Sequence, residues 1–170
     1  AETNRIYWLE NVGNNNFFPH VLESFGNLIT PASLLIVDMN LDGRPDIVAS
    51  MATGADKLRW YENTISGEFI KRAAYTESNS IYELGAGDLD NDGDIDLAAS
   101  AANEGKLFYY ENDGSLNFTR FNIDPSLPTA TTLYLVDMDQ DDDLDVICGS
   151  ASTDVINWYE NFGSGVFLKN

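Results

Sequence analysis

The amino-acid sequence predicts an all-β chain, a segment of a β-propeller made of four-stranded antiparallel blades. Three observations predict it: a repeat of about 50 residues, strand-length apolar or aromatic stretches within each repeat, and no amphipathic run at helical spacing. The repeat is marked twice over. Aspartate-rich stretches begin at Asp38 (DMNLDGRPDIVAS), Asp88 (DLDNDGDIDLAAS) and Asp137 (DMDQDDDLDVICGS), 50 and 49 residues apart. A second signature, YWLEN, RWYEN, YYEN and NWYEN, ends at Asn11, Asn63, Asn112 and Asn161. Six residues beyond each of these asparagines stands a phenylalanine: Phe17, Phe69, Phe118 and Phe167.

One repeat, residues 81–123, shows how each element arises. IYELGAGD leads into the aspartate loop and IDLAASA leaves it; KLFYYEN follows, and DGSLN turns the chain into FTRFNI. These become strands A, B, C and D, with A innermost. Gly85 and Gly87 would weaken a helix there. The B segments IVAS, LAAS and VICGS are small and apolar, as face-to-face packing of sheets requires. The C segments carry paired bulky residues (Trp60 with Tyr61, Tyr109 with Tyr110, Trp158 with Tyr159), which suits burial on both faces. In this register residues 1–22 hold only strands C and D, a half-blade. Full blades follow over 23–73, 74–123 and 124–170, with loops at 38–46, 88–96 and 137–145.

Composition bounds the partners. A net charge of −19, from 28 acidic and 9 basic residues, speaks against nucleic acid and anionic membrane surfaces, which need clustered Lys and Arg. No apolar run approaches the roughly 18 residues of a spanning helix, so membrane insertion is not expected. The single cysteine, Cys148, excludes an internal disulfide framework and reads as a small core residue.

The aspartate loops hold fourteen of the 28 acidic residues. Counted from the first aspartate, oxygen side chains recur at positions 1, 3, 5 and 9. They are Asp38, Asn40, Asp42 and Asp46 in the first loop, Asp88, Asp90, Asp92 and Asp96 in the second, and Asp137, Asp139, Asp141 and Asp145 in the third. The position-7 carbonyl, from Arg44, Asp94 or Asp143, offers a further oxygen. Such a set suits a hard cation, and calcium takes about six to eight oxygens. Position 6 must turn with positive φ, easily at Gly43 and Gly93 and less so at Asp142. An EF-hand would close with a glutamate at position 12 between helices, whereas here position 9 closes the loop and a strand follows. Without a cation, carboxylates this close would cost several kcal/mol, on the order expected for like charges at hairpin distance.

The pattern D-x-[DN]-x-D-G-x-x-D, followed by IVAS or LAAS with WYEN behind it, resembles the FG-GAP/VCBS repeats of integrin-α-like calcium-loop propellers, over essentially the whole chain. Asn40 departs from the pattern by lowering ligand charge, and Asp142 by replacing glycine. The resemblance implies calcium, about three ions, bound structurally in the A–B loops of a secreted or cell-surface protein. It implies a non-enzymatic adhesion or recognition module whose ligand is a protein or a glycan. A carbohydrate-binding lectin and a part of a polysaccharide-degrading enzyme are the alternatives, since both occur on similar propellers. The open half-blade implies the remaining blades of a longer chain, or association with another copy through the open ends; a compact four-bladed ring with one thin blade is the remaining alternative. The rim formed by the B–C and D–A loops is the expected recognition face.

Other conspicuous residues read as structural. Trp8, Trp60 and Trp158 sit at one fixed repeat position, as do Glu10, Glu62, Glu111 and Glu160. His20, the one histidine, has no nucleophile in a recognisable triad pattern. Asn117-Phe118-Thr119 is a glycosylation sequon at a turn.

Overall fold

The computed structural model describes residues 4–76 and 80–170. It is all-β, in four antiparallel sheets. The first has two strands, β1 (Arg5–Gly13) and β2 (Asn16–Ser24). Asn14 and Asn15 join them with φ of 51° and 59°, the left-handed pair that a two-residue hairpin of native twist requires and asparagine tolerates.

Three four-stranded sheets follow, each a simple meander. Blade I runs β3 (Pro31–Val37), β4 (Asp46–Met51), β5 (Asp56–Asn63) and β6 (Phe69–Thr76). Blade II runs β7 (Glu83–Gly87), β8 (Asp96–Ala101), β9 (Lys106–Asn112) and β10 (Phe118–Asp124). Blade III runs β11 (Ala130–Val136), β12 (Asp145–Ser150), β13 (Val155–Asn161) and β14 (Phe167–Lys169). Strand order within each blade is A to D as the sequence repeat predicts. Since successive strands alternate direction, the A–B loops and C–D turns share one rim.

The sheets stack face to face through three cores. On β4, Ile47, Ala49 and Met51 pack toward Ile6 and Phe25 of the half-blade side, while Val48 packs toward Leu97, Phe108 and Tyr110 of blade II. On β8, Leu97, Ala99 and Ala101 face blade I, and Ala98 faces Leu133, Val146, Cys148 and Tyr159 of blade III. Period-2 alternation therefore serves two neighbours, and every residue of β4 and β8 is buried. Small side chains let the sheets approach. A Cβ on Gly85 would lie 2.7 Å from Leu133 and 2.8 Å from Leu135, so its role is close packing between blades.

Two of the packed junctions also carry a polar lock, half-blade to blade I and blade II to blade III. Tyr61 donates to Glu23 at the end of β2, and Arg59 pairs with the same carboxylate at 2.7 Å while lying over the Phe25 ring. Burial alone would raise the Glu23 pKa, but the Tyr61 and Arg59 contacts outweigh it and hold it below the ordinary value. At the equivalent position two repeats on, in blade III, Tyr159 donates to Asp124 (2.8 Å), which Lys169 also reaches at 3.1 Å. Cys148 is fully buried, and burial pushes its thiol up to about 12, as an inert core residue requires.

Of the repeated tryptophans, Trp60 is buried, while Trp8 and Trp158 are half-buried. Glu10 meets His20 at 2.8 Å and Glu62 forms an ion pair with Arg72, so two of the recurring glutamates hold side chains of the adjacent strand. Among the described residues no helix is long and apolar enough to cross a membrane.

Candidate metal centres in the A–B loops

Position 9 is the most constrained residue of each loop. Asp46, Asp96 and Asp145 are fully buried. Their Oδ1 atoms accept the backbone amides of Asn63, Asn112 and Asn161, each at 2.8 Å. Their Oδ2 atoms accept the position-2 amides of Met39 (3.2 Å), Leu89 (2.8 Å) and Met138 (3.1 Å). In blades I and III an indole N–H joins the same oxygen, from Trp60 at 3.0 Å and Trp158 at 2.9 Å. The aspartate thus staples its loop to strand C. Blade II has Tyr109 where the others have tryptophan and so lacks that third donor. Burial, reinforced by Asp90 and Asp92, pushes Asp96 up to about 7 against the hydrogen bonds from Asn112 and Leu89. Asp46 is also raised by burial, despite its donors.

The turn itself is built from Asx contacts. The position-7 amides of Arg44, Asp94 and Asp143 donate to position 5 at 3.0, 2.9 and 3.0 Å. Position 6 has positive φ in all three loops: 85° at Gly43, 94° at Gly93 and 73° at Asp142. Position 4 does too, at Leu41, Asn91 and Gln140, and only the asparagine was a visible sign of it.

The structure gathers the predicted ligands unequally. In the second loop, carboxylate oxygens of Asp88, Asp90 and Asp96 all lie within 4.8 Å of one another. Burial and the charges of Asp92, Glu111 and Asp88 raise Asp90. Asp88 uses Oδ2 for the Gly93 amide (3.0 Å), while its Oδ1 is buried and has no hydrogen-bond partner among the described residues. In the third loop Asp137, Asp139 and Asp141 cluster within the same limit, and both oxygens of Asp137 take backbone amides.

The first loop differs. Asp38 accepts the amides of Asp42 (2.9 Å) and Gly43 (2.7 Å), as Asp137 accepts amides in the third loop, so the difference lies at positions 3, 5 and 7. Asp42 is gripped by the Arg44 guanidinium and by the Asn40 side-chain amide at 3.0 Å, and Arg44 Nε donates to the Asn63 carbonyl at 2.8 Å. The position-7 side chains therefore serve other ends: Arg44 offsets one of the three carboxylates of its own loop, Asp42, and Asp143 accepts from Asn91 of the neighbouring loop at 2.5 Å. Sequence reasoning missed both, along with the stapling duty of position 9; the tryptophan spaced thirteen or fourteen residues behind the aspartate was the available signal.

All-oxygen donors of high negative charge suit calcium and not a soft metal. The orphaned Asp88 Oδ1 is the specific mark of such a site, since a buried carboxylate oxygen without a partner is costly. The residues of the second loop fit a calcium ion.

On the opposite rim, residues 102–105, 125–126 and 128–129 line a polar cleft of about 390 Å³ that includes Asn103, Glu104 and Ser126. Comparison with curated proteins finds no match. The model of the FG-GAP-like repeat matches residues 38–99 and again 88–148, each window opening on the first aspartate of a loop and ending in the B strand of the next blade. Together the windows cover well over half of the residues, so the chain belongs to the FG-GAP-like repeat family.

Proposed function

We propose that this chain is a calcium-stabilised propeller module of a secreted or cell-surface protein, serving adhesion or recognition without catalysis. The single observation that carries the calcium reading is the second loop, where three carboxylates converge and one buried oxygen of Asp88 lacks a donor. Calcium would supply the missing positive charge and tie strand A to strand B at the rim. Asp88, Asp90, Asp92 and Asp96 would hold one ion, and Asp137, Asp139, Asp141 and Asp145 a second. The first loop, with Arg44 already on Asp42, would take a third only at higher concentration. FG-GAP-like repeats are typical of extracellular and surface proteins, which supports that location. Calorimetric titration tests the reading: two sites should fill first, with a weaker third, and Asp88→Ala should remove one of the two. No heat at about 1 mM calcium, the level for which extracellular modules are tuned, would discard it.

The opposite rim is the proposed recognition face, because loops on a rigid scaffold commonly carry binding. Its polar cleft, with amide, carboxylate and hydroxyl groups together, favours a glycan as a second reading of the ligand. A glycan array probed with the calcium-loaded chain, and with an Asn103→Ala, Glu104→Ala variant, tests that directly.

A further inference from the structure

In the three full blades, strand C receives the A–B hairpin through a repeated set of donors. Trp60 and Trp158 give an indole N–H to the position-9 aspartate. Asn63, Asn112 and Asn161 give that aspartate a backbone amide. The same asparagines give their side-chain amide to the carbonyl just before it, on Pro45 (3.2 Å), Ile95 (3.2 Å) and Leu144 (3.1 Å). Between packed blades the hairpin also contributes a plug: its position-2 residue, Met39 or Leu89, is fully buried in the core against the following blade.

The half-blade keeps the receiving half of this arrangement. Asn11 pairs with Phe17 across β1 and β2 as Asn63 pairs with Phe69, Asn112 with Phe118 and Asn161 with Phe167. Trp8 stands three residues earlier, as Trp60 and Trp158 do. Yet among the described residues β1 has only β2 beside it. Among the described residues nothing accepts from the Trp8 indole or the Asn11 side-chain amide. Where the plug would sit there is a cavity of about 350 Å³ lined by Trp8, Ile36, Pro45, Ile47, Asn63 and Phe69 together with Gly67. Ile36 at its mouth is 68% exposed.

We propose that this slot docks one kind of partner: a β-hairpin carrying the same aspartate loop, with an apolar residue at loop position 2 and aspartate at position 9. Its B strand would add to the free edge of β1, its aspartate would accept from Trp8 and Asn11, and its position-2 side chain would fill the cavity. The surface is continuous with an established interface, since Ile47 also belongs to the core joining the half-blade to blade I. A folded second copy does not offer such a hairpin, because each of its own is already paired to a C strand.

The test uses a synthetic peptide of residues 80–101 (β7, the second loop and β8), added to the chain in 1 mM calcium, about the level suited to extracellular modules. Indole N–H resonances are followed by NMR, with the Trp8 signal assigned from Trp8→Phe. The Trp8 resonance should move toward those of Trp60 and Trp158, which stay in place. A peptide carrying Asp96→Asn and Leu89→Ser should bind about tenfold more weakly or worse. Isolated hairpins are marginal, so the same segment is also fused behind residue 170 through a Gly/Ser linker. An unmoved Trp8 in both formats overturns the proposal, as does equal binding by the doubly substituted peptide. A Trp8 shift that grows with chain concentration without peptide gives the slot to a second copy and overturns it too. The proposal rests on the blade repeat, so a chain that moves Trp8 but takes up no calcium fails the calcium reading alone.

Discussion

The first and second aspartate loops share a backbone course and a stapling aspartate, yet they solve the problem of crowded charge in opposite ways. The first contains three aspartates, an asparagine at position 3 and an arginine at position 7, and its Asp38 and Asp42 carboxylates find donors within the loop. The second contains five aspartates and no cation, and it leaves Asp88 Oδ1 buried and unpaired. A shared backbone course therefore leaves the two loops with a different demand for positive charge. What distinguishes the two is whether the chain brings its own positive charge.

The largest expected effect is calcium removal. With dissociation constants of about 10⁻⁴ M, calcium at about 1 mM adds roughly 1.4 kcal/mol per site, so the second and third loops together contribute about 3 kcal/mol. Differential scanning calorimetry in chelator should show a melting temperature lower by about 6–12 °C for a domain of this size. An unchanged melt would mean that the second loop, like the first, is content without an ion.

Next is the response of the ion-free protein to pH. Asp96 sits at about 7 when folded, against about 3.9 in an unfolded chain. Its folded form therefore prefers the proton. That preference stabilises the fold fully below about pH 4 and is lost as pH rises through about 7. In chelator the protein should melt higher at pH 5 than at pH 7.5, and Asp96→Asn should flatten the difference. The variant is the discriminating arm, because relief of the general charge of −19 also favours acid pH. An equal pH response in the variant would remove Asp96 as the cause.

Paired substitutions then set the loops against each other. Asp88→Ala should abolish one strong calcium site, a loss of about 1.4 kcal/mol at 1 mM calcium. Asp42→Ala should leave the strong sites intact by titration calorimetry. Loss of a strong site in both variants would erase the distinction between the loops.

Much of this was legible in the sequence. The 50-residue beat and the small B strands announced blades, and positive φ at position 6 followed from Gly43 and Gly93. The half-blade was visible from the YWLEN signature standing without an aspartate loop before it. Less legible was anything that depends on a side chain reaching outside its own segment. Arg44 stood at a position read only for its carbonyl, and nothing in linear spacing reveals that its guanidinium returns to Asp42 and Asn63. Asn91 reaching Asp143 in the next blade is a contact of the assembled stack. Position 9 was read as a ligand alone, because the amides it staples lie on a strand that only folding brings alongside.

The smallest effect tests the comparison most directly. If Arg44 is the reason the first loop needs no ion, Arg44→Ser should create a need. The substitution removes the guanidinium from Asp42 and the Nε bond to the Asn63 carbonyl, leaving the backbone turn and the Asp42 to Arg44 amide contact intact. A partly exposed ion pair is worth up to about 1 kcal/mol, so calcium affinity at the first loop should rise by no more than about fivefold. The chelated variant should in turn melt slightly lower than the parent. Arg44→Lys keeps the charge without the planar fork, and it should fall between the two. Titration calorimetry should show the gain in the weakest site, with the two strong sites unchanged. An unaltered weak site in Arg44→Ser would assign the weakness to Asn40 instead, and Asn40→Asp would then be the substitution that restores it.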